Sequence, residues 1–236
     1  MGEPIESHGI VGNMRTAALV GLDGAVDFLC WPCFGSPGVF ASLLDDERGG
    51  RFEMTPLLDA PRRRQPYLSD TDILLTRFPS AQGVAEVSDL MPVGGPSPGQ
   101  RLVGRAKAVR GDVRFRMRCA PRFDYARAGH TVQEEAGTLV FASAGEDGTA
   151  LRLRASRQFH VERDESVAEF ELAQGQSAVF VLEDAAYGGR QCFGRRAIRH
   201  GRVQGHVGIL AAMGRAVQLP WPVAQRGEPI LAGFRR

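Results

Sequence analysis

The chain has 236 residues, of which 43% are hydrophobic and 24% charged, and its formal net charge is +2. This is ordinary globular composition, enough for one large β domain or two smaller domains, and the weak net charge gives no reason to expect a nucleic-acid partner. Because the N-terminus lacks a signal-peptide pattern and no apolar run approaches the roughly 18 residues of a membrane span, we expect a cytoplasmic protein with no membrane partner.

The first elements along the chain read as strands and one helix. The stretch TAALVGLDGAVDFLC (16–30) predicts two strands around a turn at residues 21–24. The stretch SPGVFASLLDD (36–46) predicts the one short helix, with Ser36 as N-cap and Pro37 at the first helical position.

The rest of the chain up to about Asp184 has a β pattern. TDILLTRF (71–78) is expected to pair with GVAEVSDLMPV (83–93), and two more strands lie on either side of a turn at residues 110–112. The second of these alternates strictly, with Val113, Phe115, Met117 and Cys119 on one face and Arg114, Arg116 and Arg118 on the other. About ten or more such strands with Gly and Asp turns predict an all-β antiparallel sandwich.

The segment C-W-P-C (30–33) suggests a thiol–disulfide redox site, since it follows a strand and precedes the predicted helix start. That chemistry usually resides in a βαβ fold, and the downstream pattern contains almost no helix. Two structural thiols beside a packed tryptophan are therefore the favoured interpretation. With no export signal, the four cysteines (Cys30, Cys33, Cys119 and Cys192) are expected to be reduced.

No other side chains form a recognisable catalytic or metal-binding pattern. The arginine row lacks interleaved aromatic residues and is interpreted as a solvated strand face, and the five histidines show no ligand spacing. The carboxylates that could be paired for sugar hydrolysis are interpreted as surface residues: Glu86, Asp89, Glu162 and Asp164. The sequence therefore predicts no catalytic residues, no metal and no cofactor.

Long ordered blocks of this chain resemble the start of the bacterial family-fifteen glycoside hydrolases, the trehalase and glucoamylase-like enzymes. The first block is IESHGIVGNMRTAALVGLDGAVDFLCWPCFGSPGVFASLLDDERGGRF, and later blocks include YLSDTDILLTRF and GVAEVSDLMPVG. The likeness runs from residue 4 to about residue 187. C-W-P-C then corresponds to the family's WLCxPxF turn, in which Cys33 stands for the usual arginine and Gly35 for the usual aspartate.

The resemblance implies an N-terminal β-sandwich of the supersandwich type, packed on an (α/α)₆ barrel. In that family the barrel holds both catalytic glutamates and most of the sugar pocket, and it hydrolyses α-glucosides such as trehalose or malto-oligosaccharides with inversion and without a cofactor. The barrel would follow this domain and is absent from the sequence. We therefore expect residues 1–187 to be the sandwich domain and the chain to be inactive alone.

The charge balance breaks after Asp184. Residues 1–184 hold 20 basic and 26 acidic residues, whereas the remainder holds nine arginines and a single acid, Glu228. If the codons of this segment are read in another frame, starting from the second base, those of Met213 and Gly214 must encode a tryptophan. Those of Trp221 and Pro222 must then encode a glycine. Both residues match the family's barrel-entry segment. We therefore expect residues 188–236 to be an irregular basic tail. In this interpretation a frameshift in the gene produces the tail and truncates the enzyme before its barrel. The alternative is a genuine tail that is disordered or binds an acidic partner.

Two other functions stay open from the sequence. A stand-alone carbohydrate-binding or scaffolding module would need exposed aromatic residues for stacking, and the candidates are Trp31, Phe34 and Tyr125. The second is a thiol–disulfide oxidoreductase acting through Cys30 and Cys33. Without the barrel, the sandwich face that would pack on it should be exposed, so we also expect self-association.

Overall fold

The computed structural model describes residues 4–93, 100–135 and 137–185. In this part of the chain a 3₁₀ turn (Ile5–Ser7) and a single turn named α1 (Phe123–Ala126) are the helical elements, and the rest of the regular structure is strand. The strands are β1 (Gly9–Gly12), β2 (Ala17–Val20), β3 (Val26–Cys30), β4 (Gly38–Ala41), β5 (Phe52–Pro56), β6 (Leu74–Pro79), β7 (Val84–Leu90), β8 (Arg101–Arg110), β9 (Val113–Cys119), β10 (His130–Glu135), β11 (Thr138–Ser143), β12 (Ala150–Ala155), β13 (His160–Glu162), β14 (Glu165–Leu172) and β15 (Ser177–Asp184).

These strands form two antiparallel sheets, which confirms the predicted all-β sandwich. The first sheet has the order β1-β2-β3-β5-β9-β14-β13, with β4 paired to β3, and the second has the order β10-β11-β12-β15-β8-β7-β6. β8 and β9 flank the predicted turn but belong to different sheets. Gly111 makes that turn with φ +69°, a conformation that glycine adopts without strain. The sandwich is therefore closed by a crossover at a turn that the sequence alone suggests is an ordinary hairpin.

The predicted helix over residues 36–46 is wrong. Gly38–Ala41 is strand β4, all four of its residues are buried, and Phe28 and Cys30 of β3 pair with Ala41 and Gly38. A short apolar run fits a fully buried strand as well as a helical stripe, and pairing to β3 decides between them. The remaining residues of the predicted helix, 42–46, continue as turns.

The core lies between the inner faces of the two sheets. Phe170 of the first sheet meets Phe180 of the second with ring centroids 5.6 Å apart, and it stacks on Phe115 at 5.7 Å. Gly104 of β8 leaves room for Met54 of β5, because a Cβ at Gly104 would lie 2.3 Å from the Met54 Cε. The alternation of β9 is confirmed, since its apolar positions are buried and its arginines face outward.

Candidate functional site

The loop at residues 31–37, between β3 and β4, is held in place by hydrogen bonds at its start. Thr16 donates through Oγ1 to the carbonyl oxygen of Cys30 at 2.6 Å. Gln100 donates through Nε2 to the carbonyl oxygen of Pro32 at 2.8 Å, and the Gln100 side chain itself accepts a hydrogen bond from Asn13. Because Asn13, Thr16 and Gln100 are all buried, this end of the loop is fixed by the fold.

The middle of the same loop is tied to the β1–β2 turn and leaves an aromatic side chain exposed. The backbone N–H of Phe34 donates to the carbonyl oxygen of Arg15 at 2.9 Å. The Phe34 residue is nevertheless 55% exposed. A rigid backbone that carries an exposed aromatic ring is one component of a sugar-stacking surface.

Tyr125 lies against both ends of this loop on a strained turn. Asp124, Tyr125 and Ala126 have φ values of 49°, 55° and 64°, a left-handed conformation that costs free energy for residues other than glycine. Tyr125 Oη is 3.7 Å from the Cys30 Sγ. Its ring also covers Gly38, since a Cβ there would lie 2.8 Å from the ring. The fold thus keeps Tyr125 beside β3 and β4 despite the backbone strain.

The surroundings of Tyr125 include a cation. Arg127 places its guanidinium carbon 5.6 Å from the centre of the Tyr125 ring, and its Nη2 donates to Asp124 Oδ1 at 2.7 Å. The hydrogen bond to Cys30, followed by partial burial, raises the pKa of Tyr125 above its usual value. The residue is 38% exposed, so an aromatic surface remains available to a ligand.

The three sequence-predicted sugar contacts therefore separate into two groups. Phe34 and Tyr125 are exposed on neighbouring segments, whereas Trp31 is 1% exposed and belongs to the core cluster. Because Trp31 is buried, little of its ring is available for stacking in the folded chain, and its role in sugar binding stays a prediction. Trp31 directly follows the buried end of β3, and its side chain packs in the core.

The support for a redox site at C-W-P-C is lost with the helix. Residues 38–41 form a strand, so no helix N-terminus lies beside this segment to stabilise a thiolate. Cys30 is a free, buried cysteine, so it forms no disulfide with Cys33. Cys192 lies outside the described residues.

The expectation that all four carboxylates lie at the surface is wrong for Glu86 and Asp89. Glu162 and Asp164 are exposed, but Glu86 is 9% and Asp89 1% exposed. Glu86 is paired, since the Arg77 Nε donates to its Oε2 at 2.7 Å. Asp89 faces the core, and within the described residues neither of its oxygens has a hydrogen-bond partner. Burial raises the pKa of Asp89 to about 8, so this carboxyl is neutral in the folded protein below that pH.

A polar cluster around Asp27 has the residue types of a nucleophilic triad, but their order differs. Ser42 donates through Oγ to Asp27 Oδ1 at 2.8 Å, and the His8 Nε2 is 3.2 Å from Asp27 Oδ2. Burial raises the pKa of Asp27, which the hydrogen bonds to Ser42 and His8 partly offset. The aspartate lies between serine and histidine, so the histidine has no contact through which to activate the hydroxyl. The cluster ties the N-terminal segment to β3.

No group of three or more metal-ligating side chains forms in the part of the chain that the structure describes. In that same part, no helix has the length and apolar character needed to cross a membrane. The features that remain are an antiparallel two-sheet sandwich and, on one side, a fixed loop region with exposed aromatic residues. These features define an antiparallel β-sandwich domain.

Comparison with known proteins places the sandwich in a family. The model of the family described as trehalase-like, N-terminal matches residues 1–186. The chain therefore belongs to the trehalase-like N-terminal family, a family of glycoside hydrolases.

The relatives are themselves trehalases. Trehalase 1 of Sulfolobus acidocaldarius is 38% identical over 117 residues, which cover 50% of this chain and 19% of that protein. The trehalase of Mycobacterium tuberculosis is 28% identical over 202 residues, 76% of this chain and 29% of the relative. The trehalase of Thermoplasma volcanium is 37% identical over 90 residues, 37% of this chain and 14% of the relative. The chain thus spans less than a third of the length of each of these relatives.

Proposed function

We propose that this chain is the non-catalytic sandwich domain of a cytoplasmic glycoside hydrolase that acts on α-glucosides, either trehalose or malto-oligosaccharides, with inversion. The observation that supports it is the family match over the whole sandwich, together with the burial of Glu86 and Asp89. Inverting hydrolysis needs two carboxyl groups about 6.5–9.5 Å apart on either side of the sugar. Glu86 is paired and Asp89 is enclosed in the core, so neither is free to serve as such a group.

The role of the sandwich is then to support a catalytic domain that supplies the acid and base. In this proposal the carbohydrate contacts the enzyme only through that domain, and no nucleic acid or membrane takes part. The 188–236 tail lies outside the described residues, so its frameshifted origin stays a prediction. Reading the gene downstream of codon 187 in all three frames tests it, since a barrel-encoding frame is expected.

The assay that tests the proposal uses the 236-residue chain with trehalose and with maltose as substrates. Glucose release should not exceed the background of a matched blank, while a full-length trehalase measured in parallel hydrolyses trehalose. Turnover by the chain that is lost on Asp89→Asn or Glu86→Gln would contradict the proposal, because it would show a carboxyl pair within the sandwich.

A second function, a carbohydrate-binding module, is favoured by the exposed rings of Phe34 and Tyr125. Titration of the chain with trehalose, followed by NMR, should then shift the resonances of residues 31–38 and 123–127. Phe34→Ala and Tyr125→Ala should each remove the shifts. Leu44→Ala provides the matched control, because Leu44 is also apolar and 68% exposed, in the turn after β4. Unchanged spectra at millimolar trehalose would exclude this function.

Self-association remains part of the proposal, because a sandwich that supports another domain presents the supporting face to solvent when alone. Size-exclusion chromatography with light scattering should give a mass that rises with protein concentration. A constant monomer mass would contradict it.

A further inference from the structure

A cavity of about 600 Å³ lies at the edge of the second sheet, beside β6, and we name it the arginine cleft. Three of the residues that line it are Arg62, Arg64 and Arg77, and Ser80 adds a hydroxyl group. The other described residues that line it are alanine, proline and valine, so none of the described lining side chains is acidic. The cleft is therefore strongly basic, although the 1–184 region that contains it has more acidic than basic residues.

The three guanidinium groups share a face because of strand pairing. Arg64 and Arg77 are directly opposite each other in an antiparallel bridge, with backbone N–H···O distances of 3.1 and 2.8 Å. The Arg62 N–H bonds to the carbonyl oxygen of Pro79 at 3.0 Å, which continues the same ladder two residues earlier. Side chains two residues apart on an extended segment point to one side. Directly opposed like charges repel, and an anion between them would remove that cost.

Most of the donors in this cleft are not used by the protein. Arg77 donates to Glu86 through Nε at 2.7 Å, and its two terminal nitrogens form no hydrogen bond with any residue in the described ranges. Arg62 and Arg64 form no ion pair or side-chain hydrogen bond within the described residues. Ser80 Oγ already accepts from the N–H groups of Gln82 and Gly83 at 3.1 and 3.3 Å, so its own proton is left to donate.

We propose that the arginine cleft binds a phosphate group, either as the free ion or as the phosphate ester of a sugar. A tetrahedral phosphate has three or more oxygens and up to two negative charges, which matches three guanidinium groups and a hydroxyl better than a planar, singly charged carboxylate does. Glu86 accepts a hydrogen bond from the Arg77 Nε at 2.7 Å and so helps to orient this guanidinium. The site does not depend on the glycosidase assignment, since all its residues lie in the sandwich.

The test is titration of the 236-residue chain with inorganic phosphate at constant ionic strength, followed by calorimetry and by ³¹P line broadening. Saturable binding is expected, with sulfate competing and chloride not. Arg64→Gln should weaken binding by about tenfold, because it removes one charge-assisted contact. Arg114→Gln is the matched control: it removes the same charge from a 65% exposed side chain on the first sheet and should change the affinity less than twofold.

Glucose 6-phosphate and glucose identify the source of the phosphate group. Tighter binding of the ester than of inorganic phosphate assigns the cleft to a sugar phosphate, and equal or weaker binding assigns it to the free ion. Glucose itself should not bind there. The proposal is overturned if phosphate binding does not saturate, or if Arg114→Gln weakens it as much as Arg64→Gln. Circular dichroism of both variants checks that a loss of binding is not caused by a loss of folded structure.

Discussion

The outer faces of the two sheets differ in how their charged residues are paired. On the outer face of the first sheet, Arg118 donates to Glu165 at 2.7 Å, and Arg114 and Arg116 are directly opposite glutamates of β14. The second sheet carries more cations than acids on its outer face. On β6, β7, β8, β12 and β15 the cations are Arg77, Arg101, Arg105, Lys107, Arg152 and Arg154, and the acids are Glu86 and Glu183. A third acid, Glu135 of β10, pairs with Arg152 at 3.7 Å. On its inner face the second sheet encloses Asp89, which has no hydrogen-bond partner among the residues that the structure describes.

This difference indicates which sheet has an outer face that is an ordinary solvated surface. Paired exposed charges contribute little free energy, and a face built from them is a solvated surface. Unpaired cations at an edge are a feature of a surface that attracts an anionic partner. The outer side of the second sheet also has a buried apolar cluster, against which Leu68 of the same chain packs, formed by Ile73, Leu75, Leu90, Val103 and Val181. The variants below test whether the two sheets differ in the way their charges suggest.

The largest effect is expected from the unpartnered Asp89. Burial raises its pKa from 3.8 to about 8, so between these pH values the native state holds a proton that the unfolded state has lost. The free energy of unfolding should therefore fall as pH rises through this window, by up to about 1.4 kcal/mol per pH unit, and level off above pH 8. Urea unfolding at several pH values measures the slope.

Asp89→Asn should remove most of this slope whatever it does to stability at one pH. A weaker slope remains, because burial also raises the pKa values of Asp27 and Glu53. Asp164→Asn is the control, since Asp164 is exposed and its replacement should leave the wild-type slope. If wild type and Asp89→Asn give parallel curves from pH 5 to pH 8, Asp89 is not the buried acid described above.

The next effect concerns the apolar cluster of the second sheet. Leu90 is 1% exposed there, so Leu90→Ala should lower the free energy of unfolding by about 2–4 kcal/mol, through lost burial and the cavity left behind. Leu57 follows β5 of the first sheet and is 47% exposed, so Leu57→Ala should cost about 0.5 kcal/mol or less. Urea midpoints at constant m-value give both numbers. Equal costs would mean that the outer faces are equally solvated.

An intermediate effect is expected on the first sheet from Glu165→Gln. Burial raises the pKa of Glu165, but the hydrogen bonds and positive charges of Arg118 and Arg122 outweigh it, and the net pKa is lowered. The substitution should cost about 1–2 kcal/mol at neutral pH. Because the folded pKa is depressed, this stabilisation is present above the unfolded pKa and is lost as pH falls through the folded value.

Thermal unfolding of Glu165→Gln and wild type should therefore show a difference in stability at neutral pH that shrinks at acidic pH. Glu169→Gln is the matched control, since its pair with Arg114 is exposed and 3.9 Å long. It should change stability by about 0.5 kcal/mol or less. A Glu169→Gln cost as large as that of Glu165→Gln would mean that the pairs on this sheet are not distinguished by geometry.

Local patterns were sufficient to predict the strands but not all of their surroundings. The alternation of β9 predicts its buried and exposed faces correctly, because period two is a property of the strand alone. The same parity could have placed Asp89 in the core, since Ala85, Val87 and Met91 of the same register are buried. The apolar run at 38–41 was ambiguous, because only its pairing with β3 makes it a strand.

The candidate sites depend on contacts that a single sequence does not contain. Tyr125 was identified as an aromatic candidate, but its left-handed turn has no glycine to signal it and is stabilised by packing on Gly38. The arginine cleft arises because residues 62–64 pair with β6, although the segment PRRRQP has no strand pattern. Such long-range registers are set by the tertiary fold and override local propensity.

The smallest effect is also the most direct test of the difference between the sheets, because one substitution should have opposite signs on them. Arg64→Glu places an acid opposite Arg77 and should stabilise the protein by about 0.2–1 kcal/mol at low salt. Arg114→Glu places an acid opposite Glu171 and should destabilise it by a similar amount. Both differences should shrink at about 0.5 M NaCl, where screening shortens the range of the interaction. Thermal unfolding at the two salt concentrations measures both differences. If the two substitutions change the stability with the same sign, the second sheet has no greater excess of unpaired positive charge than the first.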